Sequence, residues 1–232
     1  MSEAIEHPEH AEQAVYVYEA PLRLWHWVNA AAIVTLAVTG YFIGSPIPTM
    51  PGEPYNTFAM GYIRFAHFAA AYILIIGLLG RIYWAFVGNE HARQLFLPPR
   101  TIKGWKEAFF ELRWYFFLEK KPKKYIGHNP LAAIVMFFMF VFGIVFMIVT
   151  GLALYGEGEG MGSWQHTLFS SWVIPLFGQS QDVHTWHHLG MWFIILFVMV
   201  HVYAAIREDI MSRQSIVSTM ISGWRTFKDG QP

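Results

Sequence analysis

The sequence predicts an all-α membrane protein: a bundle of four transmembrane helices with amphipathic helices at the membrane interface. Of its 232 residues, 55% are hydrophobic and only 14% are charged, which is too apolar for an ordinary soluble domain of this length. Apolar runs long enough to cross about 30 Å of hydrocarbon supply the spans. They are residues 22–43, 62–87, 131–154 and 185–206.

The ends of the chain are polar and flank a membrane domain predicted over residues 21–210. Residues 1–20 are acidic and have neither basic residues nor an apolar core, so they are not a signal peptide, and we expect them to be poorly ordered. Residues 211–232 form a tail. The chain has no cysteine, which excludes disulfides, cysteine-ligated iron–sulfur clusters and thioether-attached haem.

Two loops contain amphipathic runs that are too short or too polar to span. Residues 104–121, GWKEAFFELRWYFFLEKK, place basic and aromatic residues at helical spacing and predict a helix in the interface. Residues 164–177, WQHTLFSSWVIPLF, predict a half-buried surface helix. Basic residues are concentrated in the loop of residues 88–128 and in the tail that starts at Arg207, and the other two loops have none. The positive-inside rule therefore predicts that both termini are cytoplasmic.

Histidines recur at fourteen-residue spacing in the last span. His187 and His201 are separated by roughly 21 Å along a helix and by about 40° around it, so they share a face. The predicted topology places His67 at the outer level with His187, and His26 at the inner level with His201. Two imidazoles at each level would fill both axial positions of a haem iron, which favours electron transfer over oxygen chemistry.

Three arginines and a glycine fit this arrangement. Arg23 and Arg64 each precede a predicted ligand by three residues and are expected to pair with haem propionates. Gly40 would leave room for the outer macrocycle, and Arg81 would reach the inner propionates. Alternatively, Arg23 and Arg64 only extend to lipid headgroups.

Other histidines have simpler interpretations. A single histidine in a membrane span is ordinarily a hydrogen-bonded interior residue, and the depth-matched pairing is what favours ligands here. His184 and His188 are expected at the interface, and His128 in GHNP is expected to cap the third span.

Seven runs carry a resemblance to a known family, in this order and spacing. They are YEAPLRLWHW, TGYFIG, MGYIRFAHF, RIYWAFVGN, GHNP, DVHTWHHLGMW and HVYAAIREDIMS. From about Tyr18 to the tail, the chain resembles the cytochrome b subunit of membrane-bound nickel–iron (NiFe) hydrogenases. It is also similar, more distantly, to the cytochrome b subunit of formate dehydrogenase.

The resemblance implies a di-haem b membrane anchor in the bacterial inner membrane. It would take electrons from the iron–sulfur clusters of a periplasmic hydrogenase small subunit, and through it from the large subunit, and pass them to quinone. The ligand positions implied are His26, His67, His187 and His201. Without cysteine the chain itself cannot activate hydrogen, and we expect only quinone reduction to occur on it.

Quinone reduction needs a proton donor. Tyr203, Arg207, Glu208 and Asp209 follow His201 and are the candidates for the quinone site. Alternatively, Arg207 is a positive-inside anchor, and Glu208 and Asp209 are solvated.

Three other functions stay open on the sequence. The partner could be a formate dehydrogenase or another periplasmic oxidoreductase. The intramembrane histidines could form a relay in a proton or metal transporter. The chain could also be a purely structural anchor.

Overall fold

The computed structural model describes residues 13–48, 58–93, 98–121, 123–125 and 129–227, most of which are helical. Four helices in these ranges are long and apolar enough to cross a membrane, which confirms the predicted fold class. The elements, in chain order, are β1 (Gln13–Tyr16), α1 (Ala20–Gly44), α2 (Ala59–Val87), α3 (Glu90–Arg93), α4 (Ile102–Tyr115), α5 (Pro130–Val135), α6 (Phe142–Glu159), α7 (Ser171–Phe177), α8 (Ser180–Met211), α9 (Ile216–Ser222) and β2 (Trp224–Phe227).

The third span is one continuous helical segment, Pro130–Glu159. A π-helical stretch, Met136–Val141, joins α5 to α6 within it. Asn129 caps its start, since the Asn129 side chain accepts a hydrogen bond of 2.6 Å from the amide of Ala132. The cap predicted at His128 lies outside the described residues.

The spans pack as two pairs of neighbours. α1 lies mainly against α2 and the third span mainly against α8, while α1 also contacts α8. A buried apolar cluster occupies the middle of the bundle, midway between the predicted histidine levels. Its fully buried members are Leu74, Phe140, Ile144, Ile194 and Phe197.

α1 and α2 approach each other closely at Gly77. A Cβ on Gly77 would lie 2.5 Å from Nδ2 of Asn29, whose amide donates to the carbonyl of Trp25 at 2.8 Å. A methyl group there must displace a buried, hydrogen-bonded side chain. A Cβ on Gly80, one turn further, would meet nothing within 4 Å.

Substituting Gly77 by alanine should therefore destabilise the protein by about 1–3 kcal/mol through overpacking. The matched change Gly80→Ala should be neutral or slightly stabilising, because alanine is the better helix former and no clash opposes it. Thermal unfolding of the two variants in detergent measures the difference. Equal melting temperatures would contradict the close α1–α2 approach.

The two ends of the chain pair with each other. β1 and β2 form an antiparallel ladder in which Tyr16 faces Trp224. The amides of Val17 and Tyr18 both donate to the carbonyl of Gly223, which has a φ of +88°. The poor order expected for residues 1–20 is therefore wrong for residues 13–20, because the tail offers them a pairing edge. Residues 1–12 lie outside the described part of the chain.

The predicted surface helices both form. α4 starts at Thr101, whose hydroxyl accepts from the amide of Gly104, and it buries Ala108, Glu111 and Trp114 on one face. A π-helical turn, His166–Ser170, leads into α7. The Ser170 hydroxyl ties that turn to the third span by donating to the carbonyl of Ala153 at 2.6 Å.

Candidate functional site

Two pairs of histidine rings face each other inside the bundle. The ring centres of His26 and His201 are 6.3 Å apart, and those of His67 and His187 are 6.5 Å apart. α8 supplies one ring to each pair, whereas α1 and α2 each supply the opposing ring of one pair. The structure thus brings together the same residues that the depth argument joined.

The separation of the rings suits one metal ion per pair. A histidine–metal bond is about 2 Å long and the ring nitrogen lies about 1.1 Å from the ring centre, so two rings on opposite sides of one ion have centres about 6 Å apart. Within the described ranges no group of three His, Cys, Asp or Glu residues could hold a metal ion. Two protein ligands are enough when a porphyrin supplies the other four, so the pairs fit haem better than a bare ion.

Thr39 fixes the orientation of the His67 ring. The Thr39 hydroxyl donates to the carbonyl of Thr35 at 2.6 Å, so it must accept the 2.9 Å hydrogen bond from Nδ1 of His67. The ring proton is therefore on Nδ1, and Nε2 keeps its lone pair for a metal. Gly40 follows directly and makes room for the ring, because a Cβ there would lie 3.4 Å from Cε1 of His67.

The same arrangement holds His187. The Thr150 hydroxyl donates to the carbonyl of Phe146 at 2.8 Å and accepts from Nδ1 of His187 at 2.8 Å. A Cβ on Gly151 would lie 3.1 Å from Cε1 of that ring. A Thr-Gly pair thus supports each outer histidine, one from α1 and one from α6. Sequence reasoning missed both threonines, although the repeated TG dipeptide within apolar spans was the available signal.

The inner pair is supported by aromatic packing. His201 stacks on Phe197 one turn earlier in α8, with ring centres 5.7 Å apart and planes 21° apart. His26 meets Trp27 edge-on at 5.0 Å. Nδ1 of His26 is buried and has no hydrogen-bond partner within the described residues.

The three predicted arginines lie in different surroundings. The Arg23 guanidinium donates to the carbonyl of Ile221 in α9. Arg81 is only 5% exposed, and its guanidinium lies 5.9 Å from the ring of Trp25, the residue before His26. Arg64 is exposed on α2. Arg81 is thus placed beside the inner pair, and contact of any of the three with propionates stays a prediction.

The candidates for a quinone site divide into one exposed and three engaged side chains. Asp209 accepts from the amide of Val217 at 2.8 Å. Tyr203 is 54% exposed. Arg207 donates to the carbonyls of Trp114 at 2.9 Å and Tyr115 at 3.0 Å, and so fastens α4 to α8. Glu208 accepts from Nδ2 of Asn129 at 2.7 Å, on the cap of the third span. Glu208 is half-buried, and a role for any of these residues in a quinone site stays a prediction.

His184 and His188 are not part of either pair. His184 is exposed, and its Nδ1 lies 3.0 Å from the carbonyl of Ser180 in the first turn of α8. His188 packs against α1, where a Cβ on Gly44 would lie 2.7 Å from its ring.

Comparison with known proteins places this bundle in a family. Residues 17–223 match the family described as prokaryotic cytochrome b561. The chain is 70% identical over 222 residues to a probable Ni/Fe-hydrogenase B-type cytochrome subunit of Azotobacter chroococcum, covering 95% of this chain and 92% of that protein. The correspondingly named subunit of Cupriavidus necator is 69% identical, with 94% and 89% covered. That of hydrogenase 1 of Escherichia coli K12 is 48% identical, with 93% and 92% covered.

The matched region contains the four spans and both histidine pairs. Cytochromes of the b type carry haem b and transfer electrons, and the four apolar helices make this chain a multi-pass membrane protein. The chain belongs to the prokaryotic cytochrome b561 family, alongside the B-type cytochrome subunits of Ni/Fe hydrogenases.

Proposed function

We propose that the chain is a di-haem b membrane anchor that carries electrons from the iron–sulfur clusters of a periplasmic nickel–iron hydrogenase to the quinone pool of the inner membrane. His67 and His187 would hold the outer haem, and His26 and His201 the inner one. The partner assignment is supported by relatives of up to 70% identity, whose names place them with Ni/Fe hydrogenases. The hydrogenase small subunit would contact this chain and would connect it to the large subunit.

The observation that carries the proposal is the pair of facing imidazoles at each of two levels, 6.3 Å and 6.5 Å between ring centres. The levels are about 21 Å apart, because His187 and His201 are fourteen residues apart on one helix. The two histidines of each pair lie on different helices, so they are close in space because of the fold and not because they are neighbours in sequence. The edges of two macrocycles held at these levels would be considerably closer than about 21 Å, which would allow electron tunnelling between two fixed sites.

The chain's own residues hold the two sites in fixed geometry. Haem b supplies one-electron redox chemistry when it is bound. Thr39 and Thr150 keep the Nδ1 protons of the outer histidines in place, so both rings are oriented before they bind. The apolar cluster around Phe140 and Phe197 keeps water out of the space between the levels. Two histidine ligands per iron would favour electron transfer over oxygen chemistry.

The quinone end would lie beyond His201, towards the cytoplasm. The positive-inside rule places the basic loop and tail on that side, and Tyr203, Arg207 and Glu208 are there. Of these, Glu208 has the chemistry of a proton donor, and Arg207 would position it by holding α4 against α8.

The experiment that tests the function uses the complete complex purified with this chain. Hydrogen should reduce two spectrally distinct low-spin haems, and added quinone should oxidise them again. Recovery of a formate-oxidising subunit in place of a hydrogenase would overturn the partner. A chain that lacks the haem α-band and binds zinc would instead indicate a transporter.

Thr150→Val should weaken the outer haem selectively. Valine has nearly the same shape but cannot accept from Nδ1 of His187, and loss of such a partner lowers metal affinity by about 10- to 100-fold. A less electron-donating imidazole should also raise the midpoint potential of that haem. The control is Thr35→Val, because the Thr35 hydroxyl donates to the carbonyl of Ala31 in its own helix and, within the described residues, bonds no histidine. A redox titration that shows the same two potentials in both variants would contradict this role.

A further inference from the structure

Glu111 is a buried carboxyl group on the otherwise amphipathic helix α4. Its side chain is 0% exposed, and neither carboxyl oxygen makes a hydrogen bond of normal geometry within the described residues. Burying an unpaired carboxylate is expensive, and a neutral side chain of the same size would avoid that cost. A glutamate at this position therefore indicates a group that binds and releases a proton.

The surroundings of Glu111 favour its protonated form at neutral pH. Burial raises the pKa of Glu111 to about 7, and the negative charges of Glu208 and Glu107 act in the same direction. The Tyr125 hydroxyl and the Lys123 ammonium lower the pKa by a smaller amount. The Glu111 charge also raises the pKa of Tyr115, on the same helix.

Glu111 lies between the surface and the inner histidine pair. Lys123 is exposed and Tyr125 half-buried, so the segment that covers Glu111 reaches solvent. On the opposite side, Arg207 fastens the end of α4 to α8, next to Glu208. Glu208 follows His201 by seven residues, which is about 10 Å along the helix and nearly the same face. Glu208 raises the pKa of Glu111, so the two carboxyl groups are close enough to interact.

We propose that Glu111 is the proton-loading residue for quinone reduction: it takes up a proton from the aqueous side of α4 and passes it through Glu208 to quinone bound near His201. This inference rests on the proposed function. Reduction of one quinone to quinol takes two electrons, which come from hydrogen, and two protons. The carboxylic acid of Glu111 gives up one proton in each transfer and is reprotonated from water, so no group is consumed.

Glu111→Gln in the complete hydrogenase complex tests the proposal, with decylubiquinone as acceptor between pH 5.5 and 9. In the wild type, quinone reduction should fall as the pH rises through about 7, because the acid form of Glu111 is depleted. The glutamine variant should be roughly tenfold slower at neutral pH and should lack this inflection, because an amide cannot exchange a proton. Hydrogen-driven reduction of its haems should stay at the wild-type rate.

Two further variants separate proton transfer from structure. Glu119→Gln removes an equal charge from a surface ion pair with Arg113, 3.0 Å long, and should change neither rate nor profile. Tyr125→Phe removes a group that lowers the pKa of Glu111, so it should move the inflection upward by up to about one pH unit. If the complex with Glu111→Gln does not assemble, the shift of the inflection in Tyr125→Phe tests whether Glu111 supplies the proton.

A wild-type rate and inflection in Glu111→Gln, or an unmoved inflection in Tyr125→Phe, would overturn the proton-loading role. Such a result would leave the proposed function intact as long as quinone oxidises the haems of the wild type. If the wild-type haems are reduced by hydrogen but not oxidised by quinone, the proposed function itself fails.

Discussion

His201→Ala should remove the inner haem and abolish hydrogen-dependent quinone reduction. In the wild type the ring centres of His26 and His201 are 6.3 Å apart. Alanine removes one of these rings, so a haem iron would have only His26 as a protein ligand. The remaining haem should still be reduced by hydrogen, because His67 and His187 are untouched. Quinone should not oxidise that haem, because the proposed path to the acceptor runs through the inner site. Haem content, by visible spectroscopy, and oxidation by added quinone measure the two effects.

The matched variants make this result specific. His26→Ala removes the opposing ring and should lose the same haem. The haem that remains should have the same midpoint potential in both variants. His91→Ala removes a histidine of α3 that lies 3.6 Å from Glu90 and belongs to neither pair, so its spectrum should be that of the wild type. If His26→Ala lost the same haem as His67→Ala, the assignment of the levels would be wrong.

The fold could be predicted largely because membranes impose strict rules on length and polarity. A transmembrane helix must cover about 30 Å with apolar residues, so each of the four could be recognised from the length of its apolar run. The histidine pairs followed from two further regularities. Helical rise places His187 and His201 on one face at two depths, and alternating direction assigns depths to His26 and His67.

The supports of the outer histidines could not be predicted in the same way. Whether a hydroxyl on one helix reaches an imidazole on another depends on the rotation of each helix about its axis, which depth does not determine. Thr39 and Thr150 were therefore not distinguished from other threonines that bond their own helix backbone. Gly40 was predicted to make room for the outer macrocycle, and this stays a prediction; a Cβ there would lie 3.4 Å from Cε1 of His67.

The end of the bundle that carries α4 and the two short strands was the least predictable part. Glu111 reads as a polar residue on the wet face of an amphipathic helix, yet α4 buries it because Arg207 holds the end of the helix against α8. The ladder between Tyr16 and Trp224 joins segments about two hundred residues apart. No local pattern signals such a pairing, since each strand is only four residues long.

His67→Ala should interrupt electron entry at the opposite end. The variant should lose the outer haem, because His187 would face no second imidazole across the 6.5 Å between the ring centres. The inner haem should remain, since His26 and His201 are intact. Hydrogen should then fail to reduce it on the catalytic timescale, because the proposed entry point is the outer site, whereas added quinol should still reduce it.

This result is the reverse of that expected for His201→Ala, where hydrogen but not quinone reacts with the remaining haem. Together the two variants would establish the direction of electron transfer. His187→Ala should reproduce it, because His187 is the other ring of the outer pair. His184→Ala, three residues earlier on α8 with an exposed ring, is the matched control and should keep both haems. If hydrogen still reduced the inner haem of His67→Ala at the wild-type rate, electrons would have to enter without the outer level. The two histidine pairs would then be separate sites and not a path across the membrane.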